Sequence, residues 1–267
     1  MRKNIEHKEY TLLYDACMHV KLISDFETIN KKVDFMAEIS SEDFLPLNQK
    51  LRLYQKRIDS FTNDEKLDKR LAASGVYGSI SALIKDMQFH DIIQQRLDHI
   101  RKINQDILEE LKDISYDPMY LSKTKYIKVI THLSRINAVQ IQVINQEYKS
   151  VIDNLKKTLD SMNNLLNVET NPTSIYCFSN VALFNILADT ISSKLKSISK
   201  MVYPGHTLSN LQEEMDEIQK VYTMKTERDI FSRVLELTTA GYSMHTINLM
   251  IMKELKDSVS DNRLELF

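Results

Sequence analysis

From Phe89 onward the apolar residues Ile93, Leu97, Ile100, Ile107, Leu111 and Ile114 recur at intervals of three, four and seven. At about 100° per residue that spacing winds onto one helical face, so it predicts a long amphipathic helix. A second stretch sets Ile127, Ile130, Leu133, Ile136, Ile141, Ile144 and Tyr148 ahead of Leu155 and Leu159. The third, from Ser174 to about Met201, is apolar on nearly all sides. A fourth runs from Thr207 through Leu211, Met215, Ile218, Phe231, Leu235, Ile247 and Met250 to Leu255, with Gly241 as its weak point. Breaks are marked by Tyr116-Asp117-Pro118, Asn171-Pro172-Thr173-Ser174 and Tyr203-Pro204-Gly205, residues that end helices or turn the chain.

The first sixty residues read as two or three shorter helices, with Phe44-Leu45-Pro46 at a junction, because proline removes a helical donor and crowds the preceding turn. Gly75 and Gly78 lower the helical preference by about 1 kcal/mol each against alanine and predict a kink or loop. The expected architecture is all-α: long antiparallel helices in a bundle, four-helix in kind, with extra N-terminal helices. The expected divisions are N-terminal short helices over 1–63, a long bundle over 64–257 and a flexible tail over 258–267. A rod-like, dimeric bundle is compatible with helices this long.

Composition supports this. Four glycines and four prolines in 267 residues are too few for a fold that turns often. With 43% hydrophobic and 27% charged residues the chain is ordinary globular material. A net charge of -2, with acidic and basic residues interleaved, gives no basic face for nucleic acid. The charged start MRKNIEHKEY lacks the apolar core of a secretory signal, and the apolar run 174–188 is too short to span a bilayer. Cys17 and Cys177 form no metal-spaced or redox motif and read as reduced thiols of a cytoplasmic protein.

Candidate chemistry concentrates in residues 86–102, DMQFHDIIQQRLDHIRK. On the wheel, Asp91 and Gln95 lie one turn apart and opposite the apolar sector, and Gln88, Asp98 and Lys102 share their face. A carboxylate and a carboxamide therefore stand side by side toward solvent, on a backbone fixed by its buried stripe. Arg96, at the edge of the apolar sector, is expected to pair with a carboxylate on a neighbouring helix.

Phe89-His90-Asp91-Ile92-Ile93-Gln94-Gln95 resembles the Phe-x-Asp-x-x-x-Gln active-site motif of the CheZ family of chemotaxis phosphatases, which dephosphorylate the aspartate of the response regulator CheY. The resemblance implies bacterial chemotaxis signalling, a helical hairpin that dimerises into a four-helix bundle, and a cytoplasmic location. It implies that Gln95 enters the regulator's active site and orients the attacking water, while Asp91 contacts the regulator's conserved lysine. Phe89 and Gln88 would flank that contact. The Mg²⁺ would belong to the regulator, leaving this chain with no cofactor or metal site. The tail is similar too: Ser258-Val259-Ser260-Asp261-Asn262 would be a linker, and Leu264, Leu266 and Phe267 apolar anchors that raise the regulator's local concentration. The match departs at His90, where the family usually carries Gln, and in the helices from Pro172 to Leu255, which have no counterpart in the short hairpin.

Other readings rank lower. His99-Ile100-Arg101-Lys102 has the His-x-x-Lys spacing of a phosphotransfer module but lacks the small glycine that lets a regulator approach. His90 and His99, nine apart, fall on opposite sides of a helix, so they make no metal pair. Val221-Tyr222-Thr223-Met224-Lys225-Thr226-Glu227-Arg228 resembles a stretch of bacterial signalling proteins but carries no derivable chemistry beyond an inter-helix ion pair of Glu227 or Arg228. The alternative to an enzyme is a helical adaptor or chemoreceptor-like module that uses Phe89–Leu97 as an interface.

Overall fold

The computed structural model describes residues 2–62, 75–113, 125–166, 178–200 and 211–260. Among them are eight helices and no strand: α1 (Arg2–Thr62), α2 (Val76–Asp113), α3 (Lys125–Lys128), α4 (Ile130–Leu166), α5 (Val181–Ile198), α6 (Gln212–Gln219), α7 (Lys225–Thr239) and α8 (Met244–Ser260). The all-α class is as the apolar periodicity implies.

The N-terminal region differs from the sequence reading. It forms one helix of 61 residues, with Pro46 inside it, rather than several short ones. The reason lies in the buried stripe: Leu22, Phe26, Ile29, Val33, Met36, Ser40, Asp43, Leu47, Tyr54 and Ile58 keep helical spacing across the proline. Pro46 costs a helix interior about 3 kcal/mol. Burying Phe44 and Leu47 on either side recovers roughly 1.5–3 kcal/mol each, which outweighs the break.

The fourth apolar stretch is also corrected, from one helix to three. Its second break is legible: Gly241 adopts φ +82°, where a side chain would be strained. The Gly241 N–H reaches the Thr238 carbonyl and the Tyr242 N–H the Leu237 carbonyl, each at 3.0 Å, closing α7 with a Schellman motif. The first break, 220–224, has neither glycine nor proline. There Arg228 donates to the carbonyls of Tyr222 and Thr223, and the Glu227 carboxylate accepts the Met224 N–H at 3.3 Å. Gly75 takes φ +79° in a turn immediately before α2, whereas Gly78 lies inside the helix. At the other end, Ser258, Val259 and Ser260 belong to α8 instead of a linker.

The chain divides into two compact units, each assembled from separated segments. The first comprises Met1–Asp34, Arg96–Val143 and Ala188–Phe267. In it α1 and α2 are antiparallel, since Glu27 meets Lys112 and Asp34 meets Arg101. α2 and α4 are antiparallel through Arg96–Gln140 and Asn104–Asn137, and α4 and α5 through Ala138–Ser192 and Gln142–Asp189. The up-and-down order is that of a four-helix bundle. The second unit comprises Phe35–Gln95 and Ile144–Leu187. Its α1 and α4 segments run parallel, with Tyr148 donating to Asp43 and Tyr54 to Asn163. The Tyr148 ring stacks on Phe184 at 4.0 Å in its core.

Candidate functional site

The α2 helix is held by its apolar face: Ile93, Leu97, Ile100, Ile103 and Ile107 are all buried. Three and four residues out of phase with that stripe, Gln88, Asp91, Gln95, Asp98 and Lys102 are all exposed. The Asp91 side chain is 78% accessible. Phe89, counted with the apolar sector from sequence, is only half-buried. Asp91 and Gln95 therefore project together into solvent from adjacent turns of one helix, as an i,i+4 pair does.

Beneath Asp91, α2 is tied to α1 by a hydrogen-bond network that the sequence pattern does not reveal. The Gln94 amide nitrogen donates to the Ala37 carbonyl at 2.8 Å, and that bond fixes which end of the amide is nitrogen. The same nitrogen lies 3.2 Å from both Ser41 Oγ and His90 Nε2. A donor-only group facing Nε2 requires a lone pair there, so the neutral ring carries its proton on Nδ1. Nδ1 lies 3.7 Å from Asp91 Oδ1, placing an N–H dipole behind the exposed carboxylate. Burial lowers the His90 pKa from its ordinary value, against the opposing pull of Asp91. The imidazole also sits 4.9 Å from the Phe44 ring. Thus the residue that departs from the CheZ motif supports the helix from below.

A hollow of about 530 Å³ opens beside this point in the second unit. Phe44, Leu45, Leu51, Ile84 and Met87 give it an apolar lining. Ser41, His90, Gln88 and Asp91 complete the wall, so two of the residues singled out from sequence lie on it and Gln95 does not.

Other sequence readings resolve as follows. Arg96 is buried and donates to the Gln140 carboxamide at 3.2 Å. His99, the His-x-x-Lys residue, donates from Nδ1 to Glu227 at 2.9 Å, and the Glu227 side chain is 1% exposed. Gln140 donates to the Glu227 backbone carbonyl at 2.9 Å, while Tyr222 and Asn104 both engage Asn137. These links clamp the 220–224 turn onto α2 and α4 in the first unit. The polar residues Asn137 and Gln140 inside the run Ile136–Ile141 were the available signal for it. Among the described residues no group of His, Cys, Asp and Glu is arranged to hold a metal ion. None of their helices is long and apolar enough to cross a membrane. Cys17 is an exposed free thiol. The anchors Leu264, Leu266 and Phe267, and Cys177, lie outside the described residues.

No family model, curated protein or solved structure matches this chain.

Proposed function

We propose that the protein is a CheZ-like phosphatase that promotes hydrolysis of the aspartyl phosphate on a CheY-type receiver domain in bacterial chemotaxis signalling. The supporting observation is that Asp91 and Gln95 face solvent together on a helix whose other side is buried and tied down through Gln94. Hydrolysis of an acyl phosphate depends on positioning and charge stabilisation more than on a strong base. The Gln95 carboxamide holds the water in line through its oxygen and adds no negative charge near the phosphoryl group. Water oxygen then bonds to phosphorus as the bond to the receiver's aspartate oxygen breaks, and that carboxylate leaves. Asp91 pairs with the receiver's lysine and sets the register of the two surfaces. The receiver's own Mg²⁺ neutralises phosphoryl charge when bound there.

The test is the decay of a phosphorylated CheY-type receiver with and without the purified protein. The wild type shortens the phosphoryl lifetime, and Gln95→Ala loses at least about tenfold of that acceleration, some 1.4 kcal/mol of transition-state stabilisation. Helicity and receiver binding stay intact in the variant. An unchanged lifetime with the wild type refutes the assignment and leaves the non-enzymatic adaptor. The adaptor reading in its Phe89–Leu97 form is weakened already, because Ile93 and Leu97 are buried in the fold.

A further inference from the structure

Resting on that reading, we infer that the hollow beside Asp91 is the receiver-recognition pocket, taking an aliphatic side chain that the partner presents next to its active-site lysine. The geometry along α2 sets the arrangement. Gln95 lies one turn, about 6 Å, C-terminal to Asp91, while Met87 and Ile84 lie one and two turns to the N-terminal side. A receiver seated with its active site over Asp91 and Gln95 therefore lays the adjoining part of its surface over the hollow.

The chemistry of the walls selects the occupant. Leu45 is 69% exposed and Ile84 47% exposed, a costly placement for two large aliphatic residues around a concavity unless something covers them. Two of the polar groups of the wall are already engaged within the fold. Ser41 Oγ is bonded to the Ala37 carbonyl, and His90 Nε2 is faced by Gln94. Asp91 is the charged residue of the lining, and its ionic neighbour among the described residues is the neutral His90 ring. An apolar cup with one exposed carboxylate, Asp91, and the neutral Gln88 carboxamide at its edge complements an aliphatic side chain flanked by a cation. Small-molecule pockets, by contrast, orient their ligands with several inward polar groups. A hollow of about 530 Å³ has room for the aliphatic group.

The experiment measures dephosphorylation of a CheY-type receiver, phosphorylated with acetyl phosphate, over a range of receiver concentrations. Leu45→Asp and Ile84→Asp are expected to raise the half-saturating receiver concentration at least about tenfold while the maximal rate stays within about twofold. Leu53→Asp is the control, because Leu53 is 57% exposed on the same helix and does not line the hollow. It leaves both parameters at wild-type values. Circular dichroism melting of each variant establishes that the helices persist. If the wild type accelerates decay and the two hollow variants behave like Leu53→Asp, the pocket assignment is overturned and the phosphatase stands. Equal weakening by Leu53→Asp also overturns it, since the effect is then not local to the hollow. If the wild type itself is inert, the phosphatase falls and the pocket's occupant with it.

Discussion

His132 illustrates how single side chains set the protein's response to acid. Burial, with the Arg135 cation adding to it, lowers the His132 pKa from 6.5 to about 4, and its Nδ1 has no hydrogen-bond partner. The unfolded chain binds this proton with ordinary affinity. Between pH 6.5 and about 4 the unfolded state therefore holds more protons, and stability is lost as the pH falls through that window. The loss reaches up to roughly 3 kcal/mol at its acid end. His90 is shifted in the same direction. Asp43 works oppositely: its burial raises its pKa despite the Tyr148 hydroxyl, so its contribution is lost as pH rises. Urea unfolding at pH 7 and pH 4.5 isolates the His132 share. His132→Leu should lose clearly less stability between the two pH values than the wild type, and equal losses would contradict this account.

Helices are the scale at which Pro46 is felt. In α1 the proline cannot donate to the Glu42 carbonyl, and only the buried residues around it keep the helix continuous. Pro46→Ala restores that donor but frees the unfolded chain, so a net gain of about 2 kcal/mol is expected. Thermal unfolding should show it as a midpoint raised by about 5 °C, and a lower midpoint would mean that the proline is structurally required. The same helix shows what a sequence can and cannot convey. Proline chemistry is local and argued for a break; the stripe that overrides it takes its strength from α2 and α4, which lie far along the chain. At 220–224 the error has the opposite sign, because the turn is held from within by Arg228 and Glu227 and from afar by His99, and carries no turn residue of its own. By contrast, Gly241 needs only its own backbone freedom to end α7, and it was readable. The exposure of Asp91 and Gln95 was readable too, since it follows from phase along one helix. Their support by Ser41 and Ala37, and the hollow beside them, depend on residues of α1 some fifty positions away.

At the level of the whole molecule, one buried carboxylate ties together separate segments of the first compact unit. Glu227 joins α7 to His99 on α2 and caps its own helix through the Met224 N–H. Glu227→Ala leaves both donors without their acceptor in a buried setting and is expected to cost about 3 kcal/mol. In denaturant this appears as a lower midpoint with the slope unchanged, and Glu227→Gln recovers part of the loss. A midpoint within experimental error of wild type would show that the clamp is dispensable. The same discontinuity of the units governs how a ribosome delivers the fold. Every segment of the second unit has been synthesised once Leu187 is made, whereas the first unit, begun before Phe35 and continued over Arg96–Val143, still awaits the segment from Ala188 onward. The start of α1 can therefore dock on α2 through Glu27 and Asp34 early, but its Asp25 contact with Lys194 of α5 forms only after the second unit's segments have been made.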